Sequence, residues 1–347
     1  MMNQKLSLSI IGCGRMGITH YSILNFHPGV VIRSVADPFD LMTKLMTKYL
    51  HIQTFKDYHE LFEVGKPDAV VVSTPPNLHY PIVKKAAEKG VHVFVEKPFT
   101  TRYRDAFELH NLFRDAKLVN QVGYVNRFND IFRKTKEFLD NGLLGNIIRF
   151  RSEMYSCTVT ENAKSKGWRS LRESGGGALY EMASHAIDLV NFLIGKPAKI
   201  TGSSLSKVYS SEIEDIVSST LLYENGISGS IYINWSDKSY RKPTNRIEIF
   251  GDKGKLIADQ YSMKIYLNNA DKNLNLKQGW NTIYITDIFK PVPSYVRGNE
   301  FTSQLYNFID VINGKSPAPA CSFKDAADTL EVIEEILNDF NTNGKLL

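Results

Sequence analysis

The sequence predicts an α/β chain of two domains. A doubly wound parallel Rossmann sheet is expected over residues 1–121, followed by an α+β domain over 122–347 built on a large, mostly antiparallel open sheet. Three observations carry this. Short apolar runs alternate with helical stretches up to about residue 120, as strands do in a parallel sheet with crossover helices. Beyond about residue 145 strand-like runs follow one another with a single helix among them. The first apolar run also flows straight into Gly12-Cys13-Gly14-Arg15-Met16-Gly17, a G-x-G-x-x-G turn that opens a helix.

In the first part, strands are expected at 6–12, 30–36, 53–55, 69–73, 91–95 and 119–122, with helices at 16–26, 38–49, 57–65, 80–90 and 102–116. The second part opens with an amphipathic helix at 131–141, stopped by Gly142, and a strand at 147–154. One helix at 178–194 ends at Gly195. Strands then follow at 199–207, 216–223, 228–235, 245–250, 254–259, 264–267 and 281–285. Glu224-Asn225-Gly226 and Asp252-Lys253-Gly254 read as hairpin turns. Helices at 300–313 and 323–341, separated by Ser316-Pro317-Ala318-Pro319, are expected to pack back on the core. Residues 157–177 read as a functional loop, and there is no internal repeat.

A chain of 347 residues is long enough for two hydrophobic cores. Its 43% hydrophobic and 23% charged residues are those of an ordinary soluble protein. A net charge of +5 without any Lys/Arg block leaves no footprint for nucleic acid. Cys13, Cys157 and Cys321 are far apart and form neither a metal spacing nor a disulfide framework, which fits the reducing cytoplasm. The apolar run 6–12 is too short for a signal peptide or a membrane span. The expected partner is therefore a small molecule, and no metal site is expected.

The glycines suggest which one. Gly12 permits a tight turn, Gly14 lets a diphosphate approach the backbone, and Gly17 lets the helix pack on the strand. The helix start at Arg15 and Met16 offers free N–H groups and a favourable dipole to phosphate. Asp37 ends the next strand 20 positions after Gly17, where a carboxylate accepts hydrogen bonds from the adenosine ribose and repels a 2′-phosphate. Pro38, not an arginine, follows it, so NAD is favoured over NADP. Asp37 also stands where a helix N-cap before Pro38 would. Ser73-Thr74-Pro75-Pro76-Asn77-Leu78-His79 forms an extended loop at the carboxyl edge of the sheet. Ser73, Thr74, Pro75, Asn77 and His79 are expected along the nicotinamide-ribose half of the cofactor. Val93-Phe94-Val95-Glu96-Lys97-Pro98 then puts Glu96 and a cation, Lys97, at another strand's carboxyl end, where open α/β sheets bind ligands.

Glu96-Lys97-Pro98, followed by Gly175-Gly176-Gly177-Ala178-Leu179-Tyr180-Glu181-Met182-Ala183-Ser184-His185-Ala186-Ile187-Asp188, closely resembles the glucose–fructose oxidoreductase / inositol dehydrogenase / MocA (Gfo/Idh/MocA) family, over nearly the whole chain. The resemblance implies an NAD-dependent oxidoreductase moving a hydride between the nicotinamide and a carbinol or ketone of a sugar, cyclitol or related polyol. It implies that Lys97 contacts the reacting oxygen and that His185 is the acid/base. Where the family commonly has an aspartate four residues before that histidine, this chain has Glu181, one methylene longer.

The chemistry of these residues fits those roles. A carbinol that loses hydride must shed a proton, which a histidine accepts near neutral pH, and a lysine ammonium stabilises the developing alkoxide. On an α-helix Glu181 and His185, at i and i+4, share a face. Either Glu181 or Asp188 is expected to orient the imidazole. Tyr124, Arg127 and Arg169 are expected to bind substrate, and polar side chains of 295–300 to return to the cleft. Two alternatives remain open on the residues: a nucleotide-sugar dehydrogenase using Arg149, Arg151, Arg169 and Arg172 as a basic groove, and a non-catalytic nucleotide-binding regulator. The open sheet is expected to hide a face in a homodimer or homotetramer.

Overall fold

The computed structural model describes residues 5–160 and 167–343, so 161–166, within the loop expected at 157–177, lie outside the described residues. By contact the chain divides into two units. One comprises the residues up to Val125 together with Pro291–Ala327, the other Asn126–Lys290 with Asp328–Leu347.

In the first unit the strands β1 (Leu6–Ile11), β2 (Val30–Ala36), β3 (Gln53–Phe55), β4 (Ala69–Val72), β5 (His92–Val95) and β6 (Asn120–Val122) form one sheet in the order β3-β2-β1-β4-β5-β6. Every pairing is parallel. The connections are α1 (Arg15–Leu24), α2 (Asp40–Leu50), α3 (Tyr58–Glu60) running into a π-helical turn Leu61–Gly65, α4 (His79–Glu88) and α5 (Tyr103–Asp115). Helices on both faces explain why β4 is four buried apolar residues in a row. Strand order reverses between β1 and β4, which opens the crevice where doubly wound sheets take ligands.

The later segment completes this unit. Three residues of α9 (Asn299–Ile312), namely Leu305, Phe308 and Ile309, share one buried cluster with Leu8, Ile10, Val71 and Phe94. The Val122 amide donates to the Cys321 carbonyl at 3.0 Å, and the Phe323 ring lies 4.1 Å from Phe99 between centroids. The unit boundary falls inside α10 (Phe323–Asn343).

The second unit holds an eight-stranded sheet in the order β14-β13-β12-β11-β7-β10-β9-β8. Its strands are β7 (Ile147–Tyr155), β8 (Lys199–Ser206), β9 (Ile216–Leu222), β10 (Ser228–Asn234), β11 (Thr244–Gly251), β12 (Gly254–Asp259), β13 (Ser262–Leu267) and β14 (Gly279–Tyr284). Only β7 and β10 pair in parallel. Burial alternates residue by residue along β9 and β10, as expected of a sheet with one covered face. α6 (Asp130–Asp140) and α7 (Ser184–Leu193) contact that sheet.

Three elements differ from expectation. The helix expected at 57–65 is a short α turn followed by a π turn. The one expected at 178–194 is a π turn, Leu179–Ala183, running into α7. Residue 285, expected to end a strand, starts α8 (Ile285–Ile288), whose Asp287 carboxylate accepts the Tyr284 amide at 2.8 Å. Among the described residues no helix is long and apolar enough to cross a membrane.

Candidate functional site

In the first unit the glycines have the geometry a diphosphate-binding turn requires. Gly12 has φ +92°, and a Cβ on Gly17 would lie 1.9 Å from the Gly12 carbonyl oxygen, so only glycine fits at either position. A Cβ on Gly14 would meet nothing within 4 Å: this glycine faces open space at the start of α1, next to the exposed Arg15 and half-buried Met16. The Ser73 hydroxyl donates to the Gly12 carbonyl at 2.8 Å and its amide to that of Ile11 at 2.8 Å, joining the loops after β1 and β4.

Asp37 is oriented by its neighbours. Its Oδ2 accepts the Cys13 amide at 2.6 Å and its Oδ1 the Phe39 amide at 2.9 Å. The N-cap of α2 is Phe39, so Asp37 is not the cap that its position before Pro38 suggested. Instead it ties the glycine turn to the end of β2 and leaves further lone pairs for a ligand hydroxyl. Burial, aided by Asp37, pushes the Cys13 thiol up to about 12, which makes it inert.

In the loop after β4, Pro75 and Asn77 are exposed, and the Thr74 hydroxyl is a buried polar atom with no protein partner. An unsatisfied hydroxyl beside an open glycine turn fits a bound ligand. Gly14, Asp37 and Thr74 together form a donor and acceptor set that suits a dinucleotide.

Two expectations change here. His79 is fully buried. Its Nδ1 faces the carbonyls of Pro98 (3.0 Å) and Phe99 (3.2 Å), and its Nε2 that of Thr74 (2.9 Å). The ring is thus committed to main chain rather than presented to a cofactor. Burial pulls its pKa down, against the carbonyls and Glu96. Tyr124, expected at a substrate surface, is also fully buried.

Glu96 and Lys97 follow β5 directly, and the Lys97–Pro98 peptide bond is cis. His20 of α1, fully buried, lies 2.7 Å from Glu96 through Nε2. A carboxylate only accepts, so Nε2 carries the hydrogen. Burial alone would raise the Glu96 pKa; the bond from His20 and the charge of Lys97 outweigh it and hold the carboxyl below its ordinary range. Arg297, from the returning segment, has its pKa lowered by burial and then by Arg15, with Glu96 opposing. The returning segment therefore does bring a polar side chain back within electrostatic reach of the glycine turn.

In the second unit the Gly-rich segment is built around Glu214, a residue without a motif to announce it. Glu214 is 2% exposed. Its Oε1 accepts the Leu179 amide at 2.9 Å, its Oε2 accepts from Arg172 at 2.6 Å, and its carbonyl accepts the Ala178 amide at 3.0 Å. Gly177, at φ +101°, is glycine because a Cβ would stand 2.4 Å from Glu214 Oε1; one on Gly176 would stand 2.4 Å from the Arg169 carbonyl oxygen.

Glu181 lies in the π turn and His185 in α7. Their separation of four is thus not one turn of a regular α-helix, as the sequence suggested; the wider π turn shifts the register between them. Arg169 Nε approaches Glu181 Oε1 at 3.3 Å. Asp188 is taken up by Arg127: Nε and Nη2 of the guanidinium meet its two oxygens at 3.0 and 2.9 Å, with side chains only 5% and 1% exposed. Arg127 is therefore buried in a forked ion pair and not at a substrate surface. Arg151 pairs with Glu153 on β7, while Arg169 and Arg172 pair with Glu181 and Glu214. The four arginines that read as one basic groove are divided between two places, three of them held by carboxylates. Among the described residues no group of three His, Cys, Asp or Glu side chains gathers as a metal site would.

Comparison with known proteins bears on the family and the fold of the two units. Residues 6–124 match the model of an oxidoreductase family with an NAD-binding Rossmann fold. Residues 132–257 match that of the GFO/IDH/MocA C-terminal domain. An uncharacterised oxidoreductase of Schizosaccharomyces pombe is 31% identical over 52% of this chain, and the alignment spans only 49% of that relative's length. Myo-inositol 2-dehydrogenase of Thermotoga maritima is 26% identical over 73% of this chain and 75% of its own. Among solved structures, levoglucosan dehydrogenase in complex with NADH and levoglucosan superposes with a TM-score of 0.85 over 98% of both chains at 20% identity, a likeness of fold.

Proposed function

The chain belongs to the Gfo/Idh/MocA oxidoreductase family, and from that premise we propose that it is an NAD-dependent dehydrogenase or reductase acting on a CH–OH group of a sugar, cyclitol or related polyol. The observation that carries the reading is the cluster at the carboxyl end of the first sheet: an open glycine turn, an oriented Asp37, and Lys97 following directly on β5 beside the ionised Glu96. The names of relatives supply the substrate class, since one oxidises myo-inositol and another was solved with levoglucosan.

When bound, the nicotinamide supplies the hydride acceptor or donor. Gly12, Gly14, Arg15, Met16 and Gly17 would hold the diphosphate at the start of α1, and Asp37 would take the adenosine ribose. Ser73, Thr74, Pro75, Asn77 and Glu96 line the nicotinamide half, and His79 contributes through the loops it holds. As the carbinol carbon gives up hydride, its hydroxyl proton passes to His185 and the ammonium of Lys97 stabilises the oxygen. Reduction runs the same transfers backwards. Glu181 and Arg169 bind substrate hydroxyls. Asp37, together with the absence of an arginine after it, favours NAD over NADP. The uncovered face of the eight-stranded sheet, with Ile148, Phe250 and Trp280 each about half exposed, is proposed as a homodimer or homotetramer surface.

The test is an NADH fluorescence titration followed by a turnover screen with NAD and NADP against myo-inositol, levoglucosan and free aldoses. Lys97→Ala should bind NADH nearly as the wild type does and lose turnover by about a hundredfold or more, because Lys97 acts on charge that develops only at the reacting oxygen. Tight NADH binding with no turnover on any polyol would favour the regulator instead.

A further inference from the structure

The turn that carries Lys97 is gripped on both sides by buried histidines from two other elements. We propose that His20 and His79 form a clamp that fixes the Glu96–Phe99 main chain and so sets where Lys97 points; both are positioning residues for the reaction, and the proposal rests on the role given to Lys97 above.

On one side His20, from α1, donates Nε2–H to Glu96 Oε1 at 2.7 Å. The other carboxylate oxygen stands 3.3 Å from the Lys97 amide. The His20 ring is itself seated edge-on against Phe94 of β5, at 5.4 Å between centroids. A Cβ on Gly123 would stand 3.3 Å from Oε2, so the glycine there leaves room for the carboxylate. On the other side His79, at the start of α4, lies with Nδ1 against the carbonyls of Pro98 and Phe99 and with Nε2 against that of Thr74; burial lowers its pKa, and the neutral ring has one hydrogen to give, which the clamp assigns to Nδ1. Residues before and after Lys97 are thus each fixed by an imidazole that is 0% exposed. Buried hydrogen bonds of this kind are costly to leave unmade, so they over-determine the loop.

The clamp also explains a histidine that no cofactor or substrate contact requires. His20 lies one turn beyond Met16 on the helix whose start receives the diphosphate. The same helix therefore holds the cofactor at one end and steadies the catalytic lysine at its middle. Displacing a reacting group by about 1 Å costs up to a hundredfold in rate, so a loosened turn should be read in kcat before it is read in cofactor affinity.

The experiment compares wild type with His20→Leu, His20→Gln, His79→Leu and Lys97→Ala. Backbone hydrogen exchange of a peptide covering 93–103 reports the clamp without any substrate, NADH titration reports cofactor affinity, and kinetics on the best polyol of the screen report kcat and KM. In His20→Leu and His79→Leu, exchange at residues 97–100 should quicken about tenfold and kcat should fall about tenfold, while in His20→Leu NADH affinity moves less than about threefold. His20→Gln, whose side-chain amide can still donate to Glu96, should recover most of both. Unchanged exchange at 97–100 in both leucine variants overturns the clamp. Faster exchange with unaltered kcat overturns its link to Lys97, as does a glutamine variant no better than leucine. If Lys97→Ala itself keeps its turnover, the assignment of Lys97 fails, and the exchange data still decide whether the histidines hold the turn.

Discussion

The two units support their chemical residues by different means. Around Lys97 the holding groups are imidazoles: His20 on Glu96, His79 on the carbonyls of Pro98 and Phe99. Around His185 they are arginine–carboxylate pairs: Arg127 with Asp188, Arg172 with Glu214, Arg169 with Glu181. Of the eight histidines in the chain, seven belong to the first unit and only His185 to the second. A guanidinium keeps its proton at any pH the protein meets, whereas an imidazole changes state near neutrality. The difference teaches that mild acid bears on the first unit, through His27, His79 and His92, whose pKa values burial lowers, whereas the second unit's scaffold fails through loss of charge partners.

The largest effect should come from breaking the buried fork. Arg127→Met leaves Asp188 buried without its guanidinium and should cost about 3–5 kcal/mol of stability, read as a lowered urea midpoint. A loss under about 1 kcal/mol would mean that the second unit does not depend on this pair. Gly177→Ala comes next. It forces a side chain into a left-handed conformation, with its Cβ 2.4 Å from Glu214 Oε1, and should cost about 1–3 kcal/mol. Because Glu214 is the obstacle, the penalty should shrink in a Glu214→Ala background; equal penalties in both backgrounds would leave backbone conformation as the whole cause.

Asp37→Ser tests the first unit with a smaller expected change. The wild type should prefer NADH to NADPH, and the serine should narrow the gap by about tenfold by removing the charge that repels a 2′-phosphate. Titration with both nucleotides decides it, and a wild type preferring NADPH would sink the cofactor assignment while leaving the Lys97 turn untouched.

The smallest effect is the pH dependence. Burial lowers the pKa values of His27, His79 and His92, all in the first unit. Unfolded, each binds its proton near pH 6.5; folded, each does so only at lower pH. The unfolded chain therefore holds more protons in that window, and stability present above about pH 6.5 is lost as pH falls through the folded values. Hydrogen exchange at pH 7.5 and pH 5.5 should show protection falling first in the first unit. If the second unit opens first, the contrast between imidazole and guanidinium support is wrong.

What the sequence made legible was local. The bounds of β2 follow from an apolar run closed by turn residues, and Gly12 and Gly17 are glycines for the steric reasons their motif implies. The supports were not legible, because they join residues far apart in the chain: His20 to Glu96 across 76 positions, Arg127 to Asp188 across 61, Leu179 to Glu214 across 35. Periodicity does not record such pairings. It also cannot distinguish a π turn from an α turn, which is why the spacing of Glu181 and His185 read as one helical face. Arg127 looked like a binding residue only because its partner lay out of view.

The first unit is interrupted in the chain: its buried cluster draws on Leu305, Phe308 and Ile309 as well as on Leu8 and Phe94. During synthesis, then, the nucleotide-binding half emerges first yet lacks part of its interior until some 200 further residues have been made, roughly 10 to 40 s at ribosomal rates of 5–20 residues/s. Over that interval the apolar surface that α9 will cover is bare to water, while the intervening sheet is free to form. The half that emerges first thus waits for most of the chain before its interior is complete, and a fragment ending near Val125 would be a chaperone client rather than a nucleotide-binding domain.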